Sequence, residues 1–217
     1  MKEFAVIGLG RFGQSVAVGL ASLGESVLGI DLDEARVNEV SHQLTKVVQA
    51  DATDEEVLRS LGLRNFDVVV VAVGSLEASI LITLGLKEMG VKYVIAKASS
   101  DAHAKVLTKI GADRIVLPEK EMGTRVAYNL SSSNILDVIE LSPEYSVIEV
   151  SADGELVGRT LRTLDLRNKY GVNVLAIKRG ASVNLSPRAE DRIEKDDVLV
   201  LVGTNTGLKR VQELTTK

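Results

Sequence analysis

The chain has 217 residues, of which 45% are hydrophobic and 3% aromatic, and its formal net charge is −4. A negative net charge leaves no electrostatic footprint for nucleic-acid binding, and a sequence without cysteine excludes disulfides and thiolate metal sites. Apolar runs stay far below the about 20 residues of a membrane helix, and the chain has entered a strand-like run by residue 4, which leaves no room for a signal peptide. We therefore expect a soluble, cytoplasmic protein.

Strand-like and helix-like segments alternate over the first 118 residues. Six apolar, mostly β-branched runs are predicted to be strands, at residues 3–8, 26–31, 45–51, 67–74, 92–98 and 113–118. Helices are predicted at residues 11–24, 33–44, 53–63, 75–90, 101–112 and 120–134, the last of which runs into a serine-rich tip. Six strand–helix units predict an α/β fold, namely a Rossmann-like doubly wound parallel sheet of six strands.

Local signals refine two of these helices. Asp33 is a plausible N-cap, and Thr53 with Glu56 three residues later has the spacing of a capping box. The chain has two histidines, which are too few for a histidine-rich metal site. We expect both, His42 and His103, to be surface residues rather than general acids.

The composition changes after residue 118. Residues 119–136 are predicted to form a crossover helix and linker. Short runs then follow as predicted strands, DVIEL, YSVIEV, VNVLAI and DVLVLVG, and a helix TGLKRVQEL ends the chain. The sequence therefore predicts a large lobe at 1–118 and a small α+β C-terminal lobe at 137–217, which is too small to be a substrate domain.

Three glycines follow the first predicted strand with the spacing Gly8-x-Gly10-x-x-Gly13. This spacing is the dinucleotide fingerprint: the first glycine makes a tight turn, the second admits a pyrophosphate, and the third packs helix on strand. Its position between a strand and a helix is the context that this motif requires. The sequence therefore predicts a nucleotide site.

Two acidic residues end the neighbouring strands. Asp31 lies 18 residues after Gly13, close to the spacing of the acid that binds the adenosine ribose. It could instead cap a strand end or the second helix; as a ribose acid it would repel a 2′-phosphate and disfavour NADP. Asp51 could reach the adenine edge or be an ordinary turn residue.

The sequence offers no catalytic constellation to accompany this site. Tyr93 and Lys97 have the spacing of the short-chain dehydrogenase pair, which requires a helix. Here they fall on a predicted strand, where four residues span about 13 Å. We therefore interpret this pair as a coincidence and predict a protein that is not an enzyme.

The order of several blocks resembles the RCK (KTN) family of cytosolic regulators of potassium channels and Trk/Ktr potassium transporters. In the first lobe these blocks are FAVIGLGRFG, VLGIDLDEARV, QADATDEEVL, DVVVVAVG and KYVIAKASSDAHAKVLTKIGADRIVLPEKEMG. In the second they are ELVGRTLRTLDLRNKYGVNVLAIKRG and LSPRAEDRIEKDDVLVLVG. The resemblance implies a nucleotide-sensing subunit at the inner face of the membrane. Its dimers would build an octameric ring that gates a KtrB/TrkH-like potassium transporter subunit.

The resemblance also implies a ligand and its residues. The ligand would be ATP or ADP, with NAD or NADH as the alternative, and Arg11 would reach the terminal phosphate from a neighbouring subunit or else be a plain loop residue. Glu119 would help to hold Mg or Ca at the phosphates, although Glu121 lies close enough to confuse that assignment. The predicted nucleotide site comprises Gly8, Gly10, Arg11, Phe12, Gly13, Asp31, Asp33, Asp51, Ala52, Thr53, Val73, Gly74 and Lys97.

Two further expectations remain. In the C-terminal lobe, the resemblance implies a site for cyclic di-AMP at Arg167, Asn173, Ala176 and Ile177, with Arg167 as a surface charge in the alternative reading. The helix at 75–90 is apolar around most of its circumference, which indicates a subunit contact or burial under the crossover helix.

A small NAD(H)-dependent oxidoreductase and a plain nucleotide-binding scaffold are the alternatives to the regulatory function.

Overall fold

A computed structural model describes residues 2–131 and 135–215, so the serine-rich tip at 132–134 lies outside the described residues. The chain divides into two compact units, Met1–Lys120 and Glu121–Lys217. Among the described residues, no helix is long and apolar enough to cross a membrane.

The first unit is built on a six-stranded parallel sheet, as predicted. Its strands are β1 Glu3–Ile7, β2 Ser26–Asp31, β3 Lys46–Gln49, β4 Val68–Val71, β5 Val94–Lys97 and β6 Arg114–Val116, in the order β3-β2-β1-β4-β5-β6. The connecting helices are α1 Arg11–Ser22, α2 Glu34–Val40, α3 Glu55–Ser60, α4 Leu76–Glu88 and α5 Asp101–Lys109, with a 3-10 turn at Leu63–Asn65; α6 Pro118–Ser131 follows β6. The predicted Rossmann-like fold is confirmed.

Both faces of this sheet are covered, which explains why its central strands read as continuous apolar runs. Ala5 and Ile7 of β1 belong to one hydrophobic cluster, whereas Val6 between them belongs to another. Neighbouring β4 alternates in the same way, with Val69 in the first cluster and Val70 in the second.

The capping prediction for α2 is confirmed, and that for α3 is wrong. The Asp33 carboxylate accepts a hydrogen bond from the Ala35 N–H. In α3 the N-cap is Asp54, one residue later than predicted. The reason is that Thr53 donates both its N–H and its hydroxyl to Oδ1 of Asp51, at 2.9 and 2.6 Å. This turn uses the Thr53 side chain and moves the helix start.

The second unit contains a five-stranded antiparallel sheet in the order β10-β9-β11-β8-β7. Its strands are β7 Ile135–Ser142, β8 Tyr145–Ser151, β9 Asn173–Arg179, β10 Ser182–Asn184 and β11 Val198–Thr204, and its helices are α7 Leu161–Leu164, α8 Leu166–Tyr170 and α9 Asn205–Gln212, with 3-10 turns at Gly154–Leu156 and Glu213–Thr215. The small α+β lobe is confirmed. The sequence did not predict β10, α7 or α8.

Candidate functional site

The turn after β1 lies at the carboxyl edge of the parallel sheet, between the ends of two neighbouring strands. The Gly8 N–H donates to the Ile30 carbonyl of β2 at 2.8 Å, and the Ala72 N–H, just after β4, donates to the Ile7 carbonyl at 2.7 Å. In open α/β sheets, ligands bind outside this edge, where the strand order reverses. Here the reversal falls at β1, next to the glycine turn.

Two of the three fingerprint glycines are required by the fold itself. Gly8 has a φ of +93°, and a Cβ there would lie 2.8 Å from backbone atoms of Ala72 and Val73. A Cβ at Gly13 would lie 1.8 Å from the Gly8 carbonyl oxygen. These two positions hold the turn against β4 and pack α1 on the turn. Neither position needs a ligand to explain its glycine.

Gly10 is different because the packing of the chain does not demand a glycine there. Its φ is −66°, a value that any residue adopts. A Cβ at Gly10 would have one neighbour within 4 Å, the Arg36 Nη1 atom at 3.9 Å. The space in front of Gly10 is therefore accessible to a ligand that needs close approach to the backbone, as a pyrophosphate does.

The helix that follows is suited to an anion. Gly10 is the N-cap of α1, and the first turn of this helix contains no acidic residue. Its first residue is Arg11, which is exposed. A cation at a helix N-terminus is unfavourable unless an anion accompanies it, whereas backbone N–H groups there favour phosphate.

Asp31 is fixed at the end of β2 and has little exposed surface. Its Oδ2 accepts a hydrogen bond from the Leu9 N–H at 2.6 Å, and its Oδ1 accepts one from the Asp33 N–H at 2.9 Å. A carboxylate can accept about four hydrogen bonds. Asp31 therefore ties the turn after β1 to the loop after β2, whereas α2 is capped by Asp33, and the Asp31 carboxylate retains capacity for further donors such as ribose hydroxyls.

Sequence reasoning missed Arg36, which lies beside these acids. Its Nη1 is 3.5 Å from Oδ2 of Asp31, and its Nε is 3.6 Å from Oδ2 of Asp33. The signal available in the sequence was the i, i+3 spacing of Asp33 and Arg36 at the start of a helix. The guanidinium thus lies close to both Asp31 and Gly10.

A second charged group lies on the other side of the glycine turn. The Lys97 Nζ, at the end of β5, is 5.9 Å from the centre of the Phe12 ring and 2.7 Å from Oε1 of Glu119. The hydrogen bond from Lys97 lowers the pKa of Glu119, and the charge of Arg11 also contributes to this lowering. The structure therefore brings Phe12, Lys97 and Glu119 together.

The metal expectation fits this arrangement only as a single protein ligand. Glu119 is exposed and ionised, and among the described residues no group of three or more His, Cys, Asp or Glu could hold a metal ion. Magnesium is often bound by one carboxylate together with substrate phosphates. Glu119 could serve in that way if a phosphate supplied the other ligands, and it would first have to leave Lys97.

The remaining predicted residues of this unit lie at the ends of β3 and β4. Asp51 is exposed, and its hydrogen bonds from Thr53 lower its pKa, so it presents an ionised carboxylate. Ala52 is buried in the core, and a side-chain contact with a ligand is therefore not indicated. Val73 and Gly74 follow β4, where the Val73 backbone faces Gly8.

The structure separates the pair that resembled a dehydrogenase motif. Tyr93 directly precedes β5, and its carbonyl accepts a hydrogen bond from Val69, whereas Lys97 is the last residue of that strand.

The surface prediction for His42 is confirmed, but the one for His103 is wrong. His103 is 3% exposed, because it shares the core-facing side of α5 with Leu107, one turn later.

In the second unit the predicted ligand residues are divided between two elements. Arg167 is exposed on α8, and Asn173 is exposed at the start of β9, whereas Ala176 and Ile177 are buried on the same strand. A cleft of about 340 Å³ lies nearby and is lined by Ile177, Arg179, Ser182, Asn184, Asp191, Arg192 and Glu194. Of the four predicted residues, Ile177 alone lines this cleft.

Comparison with known proteins agrees with this architecture. A TrkA-N domain matches residues 4–118, and a TrkA-C domain matches residues 146–216. Ktr system potassium uptake protein C of Bacillus subtilis is 51% identical over 98% of this chain and 96% of its own length. Ktr system potassium uptake protein A of the same organism is 46% identical over 97% of this chain and 96% of its own length.

A solved structure shows the same fold at low identity. The GsuK channel bound to NAD superposes with a TM-score of 0.71 at 18% identity, covering 100% of this chain and 40% of the channel chain. The chain thus spans less than half of that solved protein. With TrkA-N and TrkA-C domains in order and close full-length relatives, the chain belongs to the Ktr/TrkA family of potassium uptake proteins.

Proposed function

We propose that this chain is a nucleotide-sensing regulatory subunit that controls potassium uptake through a membrane transporter subunit. Membership of the Ktr/TrkA family supports the connection with potassium uptake. The observation that carries nucleotide sensing is Gly10, where glycine serves no packing purpose and leaves the helix N-terminus open to a phosphate. In this proposal the protein acts at the cytoplasmic face of the membrane as a ring of subunits and catalyses no reaction.

The ligand proposed is ATP or ADP, with NAD or NADH as the alternative. Asp31 would bind the ribose, and the N-terminal turn of α1 would bind the pyrophosphate that all four ligands share. A ligand shifts a conformational equilibrium only if its affinity differs between the two states. Arg11 is exposed and able to form charge-assisted phosphate contacts, which makes it our candidate for sensing the γ-phosphate across a subunit boundary.

The alternative oxidoreductase function gains no support from the geometry. Tyr93 directly precedes β5 and Lys97 ends that strand, and Lys97 is paired with Glu119. Proton transfer requires an acid or base within hydrogen-bond reach of the reacting group.

A calorimetric titration of the wild-type protein with ATP, ADP, NAD and NADP tests the proposal. Binding of ATP and ADP is expected, and NADP should bind most weakly because Asp31 repels a 2′-phosphate. Gly10→Ala should weaken ADP at least about 10-fold, or ~1.4 kcal/mol, at an unchanged thermal midpoint. Unchanged affinity in that variant would contradict the pocket assignment.

The Arg11→Ala variant tests the sensing role of Arg11 in two measurements. In the calorimetric titration it should keep ADP affinity within a few-fold of wild type. In small-angle scattering it should abolish any difference between the ATP-bound and ADP-bound assemblies. A variant that still changes shape between the two nucleotides would exclude Arg11 as the sensor. If the wild-type assembly changes shape between NAD and NADH but not between ATP and ADP, the alternative ligand is the correct one.

A further inference from the structure

We infer that Arg36 is a phosphate-binding residue of the nucleotide site, an inference that rests on the proposed function. The guanidinium of Arg36 is the one neighbour that a Cβ at Gly10 would meet, at 3.9 Å from Nη1. Gly10 is the position at which a pyrophosphate approaches the backbone of a dinucleotide fingerprint. The guanidinium is therefore already at the edge of the space that the phosphates would occupy.

The negative charge of two acids next to Arg36 favours a cation at this end of the site. Asp31 and Asp33 both lie within 4 Å of the Arg36 guanidinium, and their two negative charges would repel a phosphate at the adjacent turn. Arg36 offsets part of that charge and lies close to Gly10 as well. An arginine can also donate five hydrogen bonds, so it can serve a carboxylate and a phosphate together.

Asp31 is held more firmly than Arg36, so Arg36 is the side chain that can move toward a ligand. Asp31 is fixed by two backbone hydrogen bonds of 2.6 and 2.9 Å. The Arg36 contacts, at 3.5 and 3.6 Å, exceed hydrogen-bond length, and half of the Arg36 side chain is exposed. The guanidinium can therefore turn toward a phosphate without breaking a hydrogen bond to either acid.

Adenosine, AMP and ADP separate this role from a purely positioning one. Each is measured by competition against labelled ADP on the full-length chain. Arg36→Ala should weaken AMP and ADP about tenfold and leave adenosine within about twofold of wild type. The salt dependence of ADP affinity should also become shallower, since one cation fewer contacts the phosphates.

Two variants serve as controls. Arg59→Ala removes a more exposed arginine that is likewise paired with an acid on its own helix, Glu55 on α3, and it should leave all three affinities unchanged. Arg36→Gln removes the charge but keeps a longer side chain than alanine does. It should reproduce the loss of ADP affinity if Arg36→Ala is too unstable to measure. The thermal midpoint of each variant identifies such instability.

The outcomes distinguish this inference from the function on which it rests. Equal losses for adenosine and ADP would mean that Arg36 acts only by positioning Asp31, and would overturn the inference. Unchanged affinities in a wild-type protein that binds ADP would overturn it as well, while leaving the nucleotide site intact. A wild-type protein that binds none of the three would refute the proposed function itself.

Discussion

The imidazole of His103 is buried at the start of α5 and is not fully hydrogen-bonded. Its Nδ1 accepts a hydrogen bond from the Ser99 N–H at 3.2 Å, which places the ring proton on Nε2, an atom without a hydrogen-bond partner. Burial lowers the pKa of His103 below its ordinary value of 6.5. Protonation of this ring therefore favours the unfolded chain.

This burial predicts a pH-dependent stability that can be assigned to one residue. Below about pH 6.5 the unfolded chain binds a proton at His103 that the folded chain does not, so the free energy of unfolding decreases as the pH falls through that window. Above it, His103 contributes no pH dependence. Unfolding of wild type and His103→Gln, compared at pH 7.5 and at pH values near 6, should show a smaller decrease for the variant.

The only other histidine provides the control. His42 is exposed, so His42→Gln should retain the wild-type pH dependence. An equal reduction in both variants would show that the burial of His103 is not its origin.

Individual site residues were predictable to different degrees. The glycine spacing indicated a phosphate turn, but it did not reveal that Gly8 and Gly13 are required by backbone packing and Gly10 is not. At Gly8 that requirement comes from backbone atoms of Ala72 and Val73, more than 60 residues away in the sequence, and at Gly13 it comes from the carbonyl oxygen of Gly8, which approaches only when the turn has formed. Arg36 was missed for a related reason, since its proximity to Gly10 exists only after β1 and β2 pair.

At the scale of elements, one ion pair joins the end of β9 to the residue before β11. The Asp197 side chain is almost fully buried and accepts hydrogen bonds from Nε and Nη2 of Arg179 at 2.8 and 2.9 Å, and from the Glu194 N–H at 2.8 Å. The hydrogen bonds from Arg179 lower the pKa of Asp197. This arrangement fixes the turn that leads into β11.

Loss of this carboxylate should destabilise the second unit. Asp197→Ala removes hydrogen bonds to a charged group and leaves the Glu194 N–H unpaired, at an expected cost of about 2 to 3 kcal/mol. Hydrogen exchange at the β11 amides of the full chain measures the effect. Glu190→Ala, which breaks an exposed pair with Arg162, should change exchange little. Similar exchange in both variants would contradict the role of Asp197.

The elements themselves were predictable where the apolar pattern was strong. Every strand of the parallel sheet was located from its β-branched run, and the signal was strongest in the inner strands β1, β2 and β4, where burial on both faces requires a continuous apolar sequence. β10 was missed because all three of its residues are exposed, so no hydrophobic pattern marks it. α7 and α8 are four and five residues long, too short for a helical period to emerge.

At the scale of the whole molecule, α4 presents apolar side chains on two sides. Ile82 and Leu86 are buried in the core, whereas Leu76, Leu81 and Leu84 are 52%, 47% and 37% exposed in the single chain. Exposed leucines on one helix are typical of an interaction surface. This exposure favours the proposed subunit contact.

The double variant Leu81→Ser/Leu84→Ser should therefore reduce self-association. Light scattering coupled to size exclusion is expected to show a smaller species than the wild-type assembly at the same concentration. Leu23→Ser removes a leucine of the same unit that is 79% exposed and lies outside α4, and it should leave the assembly unchanged. A wild-type mass in the double variant would place the contact on another surface.

The double attachment of Asp31 also restricts how this site can evolve. A change of preference toward a 2′-phosphate ordinarily begins by replacing the acid at the end of β2 with a small or neutral residue. Here that replacement also leaves the N–H groups of Leu9 and Asp33 without their hydrogen-bond acceptor. Even asparagine would place an amide donor opposite one of these two N–H groups. A lineage that replaces Asp31 therefore needs another acceptor for both groups, which couples the proposed preference for an unphosphorylated ribose to the stability of the fold.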